Sequence, residues 1–224
     1  VSTSRPAPPT TTLTVTDVVR ATPRTRLLRL DLGGSSFTFS AGQAVMAGLQ
    51  GSPLRKPYSI ASAPAEAART RTIELLIQID DTGGPDPRLD RATRGAAIEI
   101  EGPFPNLVLP AGGADAALLL IAGGTGIAPV RSLLMDVLDR SMPPRISLVY
   151  SARTPDELAY RDELEQLAAA GQIRLYLTVT RPHDQWAGRR GRIDHELLRT
   201  ALPAPHARCL ICGPPAMVND AREG

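Results

Sequence analysis

Near residues 110–115, Pro-Ala-Gly-Gly-Ala-Asp, the hydrophobic pattern of the chain changes period. That change constrains the fold more than any other feature, because strands and helices bury their apolar residues at different spacings. Before it, β-branched and aliphatic residues gather in short segments: Leu13–Arg20, Thr25–Leu32, Phe37–Phe39, Val45–Leu49, Tyr58–Ala61, Thr72–Ile79 and Ala97–Glu101, separated by Gly and Pro. Ile73, Leu75, Ile77 and Ile79 alternate with mostly polar neighbours. A single short helix is expected, with Asp86 as N-cap, Pro87 at its first position and RLDRA after it. Many short strands and one small helix suggest a six-stranded antiparallel barrel. After the break, the strand AALLLIA leads through GGTGIAP to the helical VRSLLMDVLDR. Then come the strand ISLVYSA, the helix DELAYRDELEQLAAA, the strand IRLYLTVT, the helix HELLRTAL and the strand RCLICG. Strand–helix alternation predicts a Rossmann-like parallel sheet with crossover helices. The expected organisation is a flexible tail at 1–12, a β domain at 13–112 and an α/β domain at 113–224.

Composition excludes several classes. Apolar residues make up 42%, enough for a core. The longest apolar run, Ala116–Ala122, is far below the roughly 18–20 residues of a membrane helix. The opening VSTSRPAPPTTT has no apolar h-region and does not read as a signal peptide, so a cytoplasmic protein is expected. A net charge of +2 is no nucleic-acid footprint. Arg189, Arg190 and Arg192 could face an acidic partner or form a solvated loop. Cys209 and Cys212 are spaced CxxC, but on a strand they point to opposite faces and would make a strained disulfide. Two cysteines are too few for a four-thiolate cluster, and the three histidines show no metal spacing.

Three motifs carry chemistry. GGTGIAP, residues 123–129, stands at a strand-to-helix turn, where glycines let backbone approach a ligand and the helix N-terminus favours an anion. No GK[ST] follows, and Pro129 stands where the third glycine of GxGxxG belongs, so it is neither a Walker A loop nor that fingerprint. Alone it also fits an ordinary tight turn. RKPYSIAS, residues 55–62, offers a Tyr to stack on a flat ring, a hydroxyl to bond a ring nitrogen and a cation for phosphate, or else a plain strand with Pro at its edge. CGPPAM, residues 212–217, ends the last strand on the same rim as Gly123–Gly126, where open α/β sheets bind ligands.

In this order and spacing the three motifs resemble the ferredoxin–NADP(+) reductase superfamily, from about Leu13 to Met217, and GPFPNL at 102–107 is similar to that family's barrel-closing element. The resemblance implies a flavin-binding barrel followed by a nicotinamide-nucleotide domain. Arg55, Lys56 and Pro57 would lie at the flavin phosphate, Tyr58 against the flavin, and Ser59 at its reactive N5 edge. Gly83 and Gly84 would belong to the flavin pyrophosphate loop. Gly123, Gly124, Thr125 and Gly126 would hold the dinucleotide pyrophosphate, with Thr125 near the nicotinamide. Cys212 would approach the nicotinamide ring where hydride leaves, with Gly213, Pro214 and Met217 beside it. Arg153, Thr180 and Arg181 would meet the ribose end, which leans towards NADPH over NADH.

The chain departs from the family pattern in three places. Lys56 stands where the family has Arg, and a lysine cannot make a bidentate fork. Gly83, Asp86 and Leu89 match the spacing G-x-x-S/T-x-x-L, which puts a carboxylate where the family has a hydroxyl. FAD is expected, with FMN open on that account. The family continues past the CGP motif to a final strand, whereas this sequence stops at Gly224. The implied activity is NAD(P)H-dependent flavoprotein reduction of a separate electron acceptor, expected to be a protein. The competing readings are a non-catalytic nucleotide-binding subunit and a reductase of free flavin.

Overall fold

The computed structural model describes residues 9–79, 87–109, 117–140 and 145–223. The first half holds β1 (Thr10–Thr22), β2 (Thr25–Asp31), β3 (Ala44–Leu49), β4 (Lys56–Ser59), α1 (Pro64–Thr70), β5 (Thr72–Gln78) and β6 (Ala97–Phe104). Its six strands run in the order β4-β3-β6-β1-β2-β5, and every described pairing is antiparallel. The two edges meet where Ile60 bridges Leu75, with Ala61 N donating to Glu74 O at 2.8 Å, so the sheet closes into the expected barrel. Ser59, the last residue of β4, therefore stands at the seam.

Alternation fills the barrel. Leu28, Leu30, Ile73, Leu75, Ile98 and Ile100 point inward and are fully buried. Their outward neighbours should be polar, yet Leu27 and Leu76 are buried too, in the cluster that contains Leu118, Leu120 and Ile127 of the second half. The outer face of β2 and β5 is thus the docking surface for the α/β half, and Leu76 breaks the alternation for that reason.

The second half holds β7 (Leu118–Gly123), α2 (Ile127–Leu138), β8 (Ile146–Ala152), α3 (Arg161–Ala169), β9 (Arg174–Val179), β10 (Arg189–Arg190), α4 (His195–Ala201), β11 (Arg208–Cys212) and α5 (Pro215–Glu223). All its described pairings are parallel, in the order β10-β9-β8-β7-β11. The chain moves one way from β7 through β8 and β9, and β11 returns to the other side of β7. The point of reversal lies between β7 and β11, where the carboxyl ends of open α/β sheets leave a crevice.

Several expectations are corrected. β1 begins at Thr10 and pairs with Glu101, so residues 10–12 belong to a strand rather than to a tail. Phe37–Phe39 is not a strand: the two rings stack at 6.1 Å and pack against the barrel core. The helix α1 fills a gap that the sequence left between strands; Pro64 opens it, and the Glu66 carboxylate accepts from Ala63 N at 3.2 Å. The helix expected after Pro87 is one 3-10 turn, Leu89–Arg91, and Asp86 lies outside the described residues. The long helix expected at 156–170 is broken at Tyr160, whose φ is 60°. There the side chains of Leu158 and Ala159 turn into the core, and Ala159 N donates to the Tyr150 hydroxyl at 3.2 Å. Burial against neighbours outweighs helix propensity at this position.

Candidate functional site

The turn after β7 is shaped by two glycines. Gly124 has a φ of 54° and no atom within 4 Å of where a Cβ would stand, so the turn takes a left-handed step on an open side. A Cβ on Gly126 would collide with the Cys212 carbonyl, so only glycine lets this turn lie against the end of β11. A Cβ on Gly213 would likewise crowd the Met217 methyl and stand 3.1 Å from the Gly123 Cα and N. The two motifs at 123–129 and 212–217 therefore form one packed rim. The buried Tyr150 supports it from below, its hydroxyl donating to Gly124 O at 3.3 Å and accepting from Ala159 N. Burial pushes its phenol well above the ordinary value, so it stays a neutral donor.

A cavity of about 590 Å³ opens at this rim, within the usual range for small-molecule sites. Gly123, Gly124, Thr125 and Gly126 line one wall, with Cys212, Gly213, Pro214 and Met217 beside them. Arg153 and Thr180, from the ends of β8 and β9, also line it. The opposite wall belongs to the barrel: Ser59, Thr22, Arg24, Thr25, Leu76 and Gln78. Residues 150 positions apart thus face one space, as expected of a site built where two halves meet.

Ser59 Oγ accepts from Asn106 Nδ2 at 2.9 Å. With that lone pair engaged, the Ser59 hydroxyl hydrogen is left to point at a ligand. Asn106, in the GPFPNL element, was not singled out from the sequence. Its only signal there is an amide in a segment already suspected of closing the barrel. The barrel-side residues Thr22 and Thr25, whose hydroxyls meet at 2.8 Å across the β1–β2 turn, carried no sequence signal.

Other anticipated residues stand elsewhere. Arg55, Lys56, Pro57 and Tyr58 do not line the cavity. The Arg55 guanidinium pairs with Glu99 on β6, Lys56 is exposed, and Tyr58 is half-buried against the barrel core. Gly83 and Gly84 lie outside the described residues. Arg181 is exposed beside the cavity, its N donating to Arg153 O at 2.6 Å. Arg192 does line the cavity, paired with Asp220 at 3.5 Å, and Arg189 pairs with Asp194.

Cys212 and Leu210 pack towards the main core and Ile211 towards the opposite face of the sheet, so Cys209 and Cys212 point apart. Both thiols are free, and burial pushes both up from their ordinary value. A thiol raised in this way stays protonated at neutral pH. Among the described residues no cluster of His, Cys, Asp and Glu could hold a metal, and no helix is long and apolar enough to cross a membrane. A glycine-walled rim with an open left-handed step suits a phosphate-bearing dinucleotide, and a hydroxyl donor at the barrel seam suits a flat heterocycle facing it.

Comparison with known proteins agrees with this geometry. Residues 12–108 match the family model described as an oxidoreductase FAD-binding domain, and residues 120–223 match the oxidoreductase NAD-binding domain. The chain is 35% identical over 201 residues to ferredoxin–NADP reductase B of Sorangium cellulosum, an alignment covering 85% of this chain and 80% of that one. It is 30% identical over 190 residues to NADH-cytochrome b5 reductase 1 of Eremothecium gossypii, covering 78% of this chain but 62% of the relative. Among solved structures, a ferredoxin NADP+ reductase from Neisseria gonorrhoeae with bound FAD and NADP superposes with a TM-score of 0.78 at 25% identity, over 96% of this chain and 89% of that one.

Proposed function

This chain belongs to the ferredoxin–NADP(+) reductase superfamily, and on that premise we propose that it is a flavoprotein reductase that draws electrons from NADPH or NADH through bound FAD and passes them to a separate redox protein. One observation carries the reading: a single cavity joins Ser59 at the barrel seam to the Gly123–Gly126 turn and Cys212. The bound flavin and nicotinamide supply the hydride chemistry. The chain's own part is to hold and orient. Ser59, fixed by Asn106, offers a hydrogen to the flavin edge. The Gly123–Gly126 turn would hold the pyrophosphate on backbone N–H groups. Cys212 would border the nicotinamide ring, and its thiol, kept neutral by burial, would add no charge beside it. Arg153 lines the cavity, where a 2′-phosphate would add negative charge, which favours NADPH, whereas Arg192 on the same lining is paired with Asp220 at 3.5 Å. The names of the relatives make ferredoxin and cytochrome b5 the first acceptors to try.

The test is anaerobic. Protein purified with FAD should keep its flavin through gel filtration, lose the flavin's visible absorbance on mixing with NADPH, and regain it when an acceptor is added. Flavin lost on the column would make flavin a substrate, and absorbance unchanged by either nucleotide would remove reductase activity altogether. In Ser59→Ala the flavin should stay bound while its reduction slows by about 100-fold, since misplacement of reacting groups costs about that much. A wild-type single-turnover rate would take Ser59 out of the site.

Cys212 should act by shape. Cys212→Ser is expected to keep part of the nucleotide-dependent turnover, and Cys212→Leu, which fills the cavity, to keep little. Steady-state rates of the two variants decide this: if the serine variant were as inactive as the leucine one, the thiol itself would be needed.

A further inference from the structure

Helix α2 leaves the Gly123–Gly126 turn and carries an arginine and a serine, Arg131 and Ser132, on a face that is buried to within a few per cent. A guanidinium out of water persists only if it is paired and fully hydrogen-bonded. Here all five of its N–H donors are engaged. Nε and Nη2 bond Glu163 of α3 at 2.7 and 2.8 Å. Nη1 and Nη2 bond Glu66 of α1 at 3.0 Å each, and Nη1 also bonds Ala61 O at 2.9 Å. The guanidinium lies 4.9 Å from the centre of the Tyr160 ring. Next to it, Ser132 Oγ donates to Ser62 O at 2.7 Å and accepts from Gly42 N at 3.2 Å. Gly42 O in turn accepts from Leu107 N at 3.0 Å, beside the Asn106 that holds Ser59.

These bonds join two places. On one side the grip falls on Ala61 and Ser62, the residues that follow Ser59 and Ile60 through the barrel seam. On the other it falls on the helix that begins at the glycine turn. We propose that Arg131 is a positioning residue: its clamp on Ala61, Glu66 and Glu163 fixes the spacing between Ser59 and the Gly123–Gly126 turn, and thereby the approach of nicotinamide to flavin. The inference rests on the reductase reading for its second half and on geometry alone for its first. Arg131 touches neither reactant, so its effect must appear in the rate of transfer rather than in the affinity for either cofactor.

Two variants and two readouts test it. Arg131→Lys keeps the charge and loses the fork; Glu163→Gln keeps the shape and weakens one arm, and covers the case in which the lysine variant fails to fold. In rapid mixing with saturating NADPH, and NADH in parallel, both variants should bind FAD and nucleotide as wild type does. Flavin reduction should nevertheless slow on the order of 10- to 100-fold, with a weaker long-wavelength charge-transfer absorbance. In the apoprotein, amide hydrogen exchange across residues 59–63 and 124–132 should quicken. Wild-type reduction rates in both variants, or a rate loss that merely tracks lost flavin, would overturn the inference while leaving the reductase reading intact. If wild type itself were not reduced but exchange still quickened in the variants, the reductase reading would fall and the clamp would stand.

Discussion

Gly126→Val is expected to be among the most damaging single changes to this protein, in stability and in nucleotide binding together. A side chain at this position meets the Cys212 carbonyl, which is backbone and cannot rotate away. The turn after β7 and the turn after β11 must then separate, although both belong to the same rim. Overpacking of this kind costs about 1–3 kcal/mol, and rigid backbone on the far side puts Gly126 at the upper end. The same separation moves the dinucleotide-binding turn away from Cys212 and from the barrel. Each 1.4 kcal/mol lost from binding is about tenfold in affinity. Gly124→Ala is the control for stability alone: no protein atom stands within 4 Å of its Cβ, so its folding penalty is confined to the left-handed backbone, about 1–2 kcal/mol. Thermal unfolding and NADPH titration of both variants check this. If Gly126→Val bound NADPH as tightly as the wild-type protein, the two turns would not be one site.

The second large effect is on folding stability. Arg131→Met should destabilise the protein by up to about 3 kcal/mol, the lower end of what breaking a buried pair costs, because it leaves two half-buried carboxylates without their counter-charge. Replacing the whole cluster, in Arg131→Met with Glu66→Gln and Glu163→Gln, should recover most of that loss, since the lone charges rather than the lost attraction dominate. The pH dependence should reverse sign between wild type and the single variant. In wild type, burial alone would raise the Glu66 carboxyl, but the hydrogen bonds and charge of Arg131 overcome it and hold the carboxyl below 4.5. Burial would likewise lower the Arg131 guanidinium, and Glu163 and Glu66 outweigh it and keep it charged. A depressed carboxylate contributes stability that is complete above its unfolded value, near 4.5, and is lost as pH falls through the lower folded value. In Arg131→Met, Glu66 and Glu163 are partly buried without a cation between them, with Glu74 bonded to the nearby Tyr160 hydroxyl. With Arg131 gone, burial is left to raise the Glu66 carboxyl above its unfolded value, so that variant loses stability as pH rises and regains it towards 4.5. Melting temperatures measured across mildly acidic to neutral pH decide the matter. A gap between the two proteins that stayed constant with pH would mean that the carboxylates are solvated and the cluster is not a buried one.

The residues legible in the sequence were those whose chemistry is local. Gly124 and Gly126 announce a turn, Pro214 and Pro215 another, and the alternation of Ile73, Leu75 and Ile77 a barrel wall; each depends on backbone conformation or periodicity within a few residues. The order of strands and helices then implies the rim on which both turns meet, so that wall of the cavity follows from the sequence. The barrel side was not. Leu76 looked like a lapse in alternation until the α/β half covered it, and Thr22, Thr25 and Asn106 became part of a site only when the barrel seam came to face the glycine turn. Arg131 is the plainest case. In sequence it is one arginine in an amphipathic helix, with nothing to distinguish it from a solvated one. What buries it, and what pairs it, are Glu66, Ala61 and Glu163, which lie 65, 70 and 32 positions away. Local propensity acts along the chain and can be read from it. The desolvation and pairing of a charge depend on which surfaces dock, and only the assembled tertiary structure decides that.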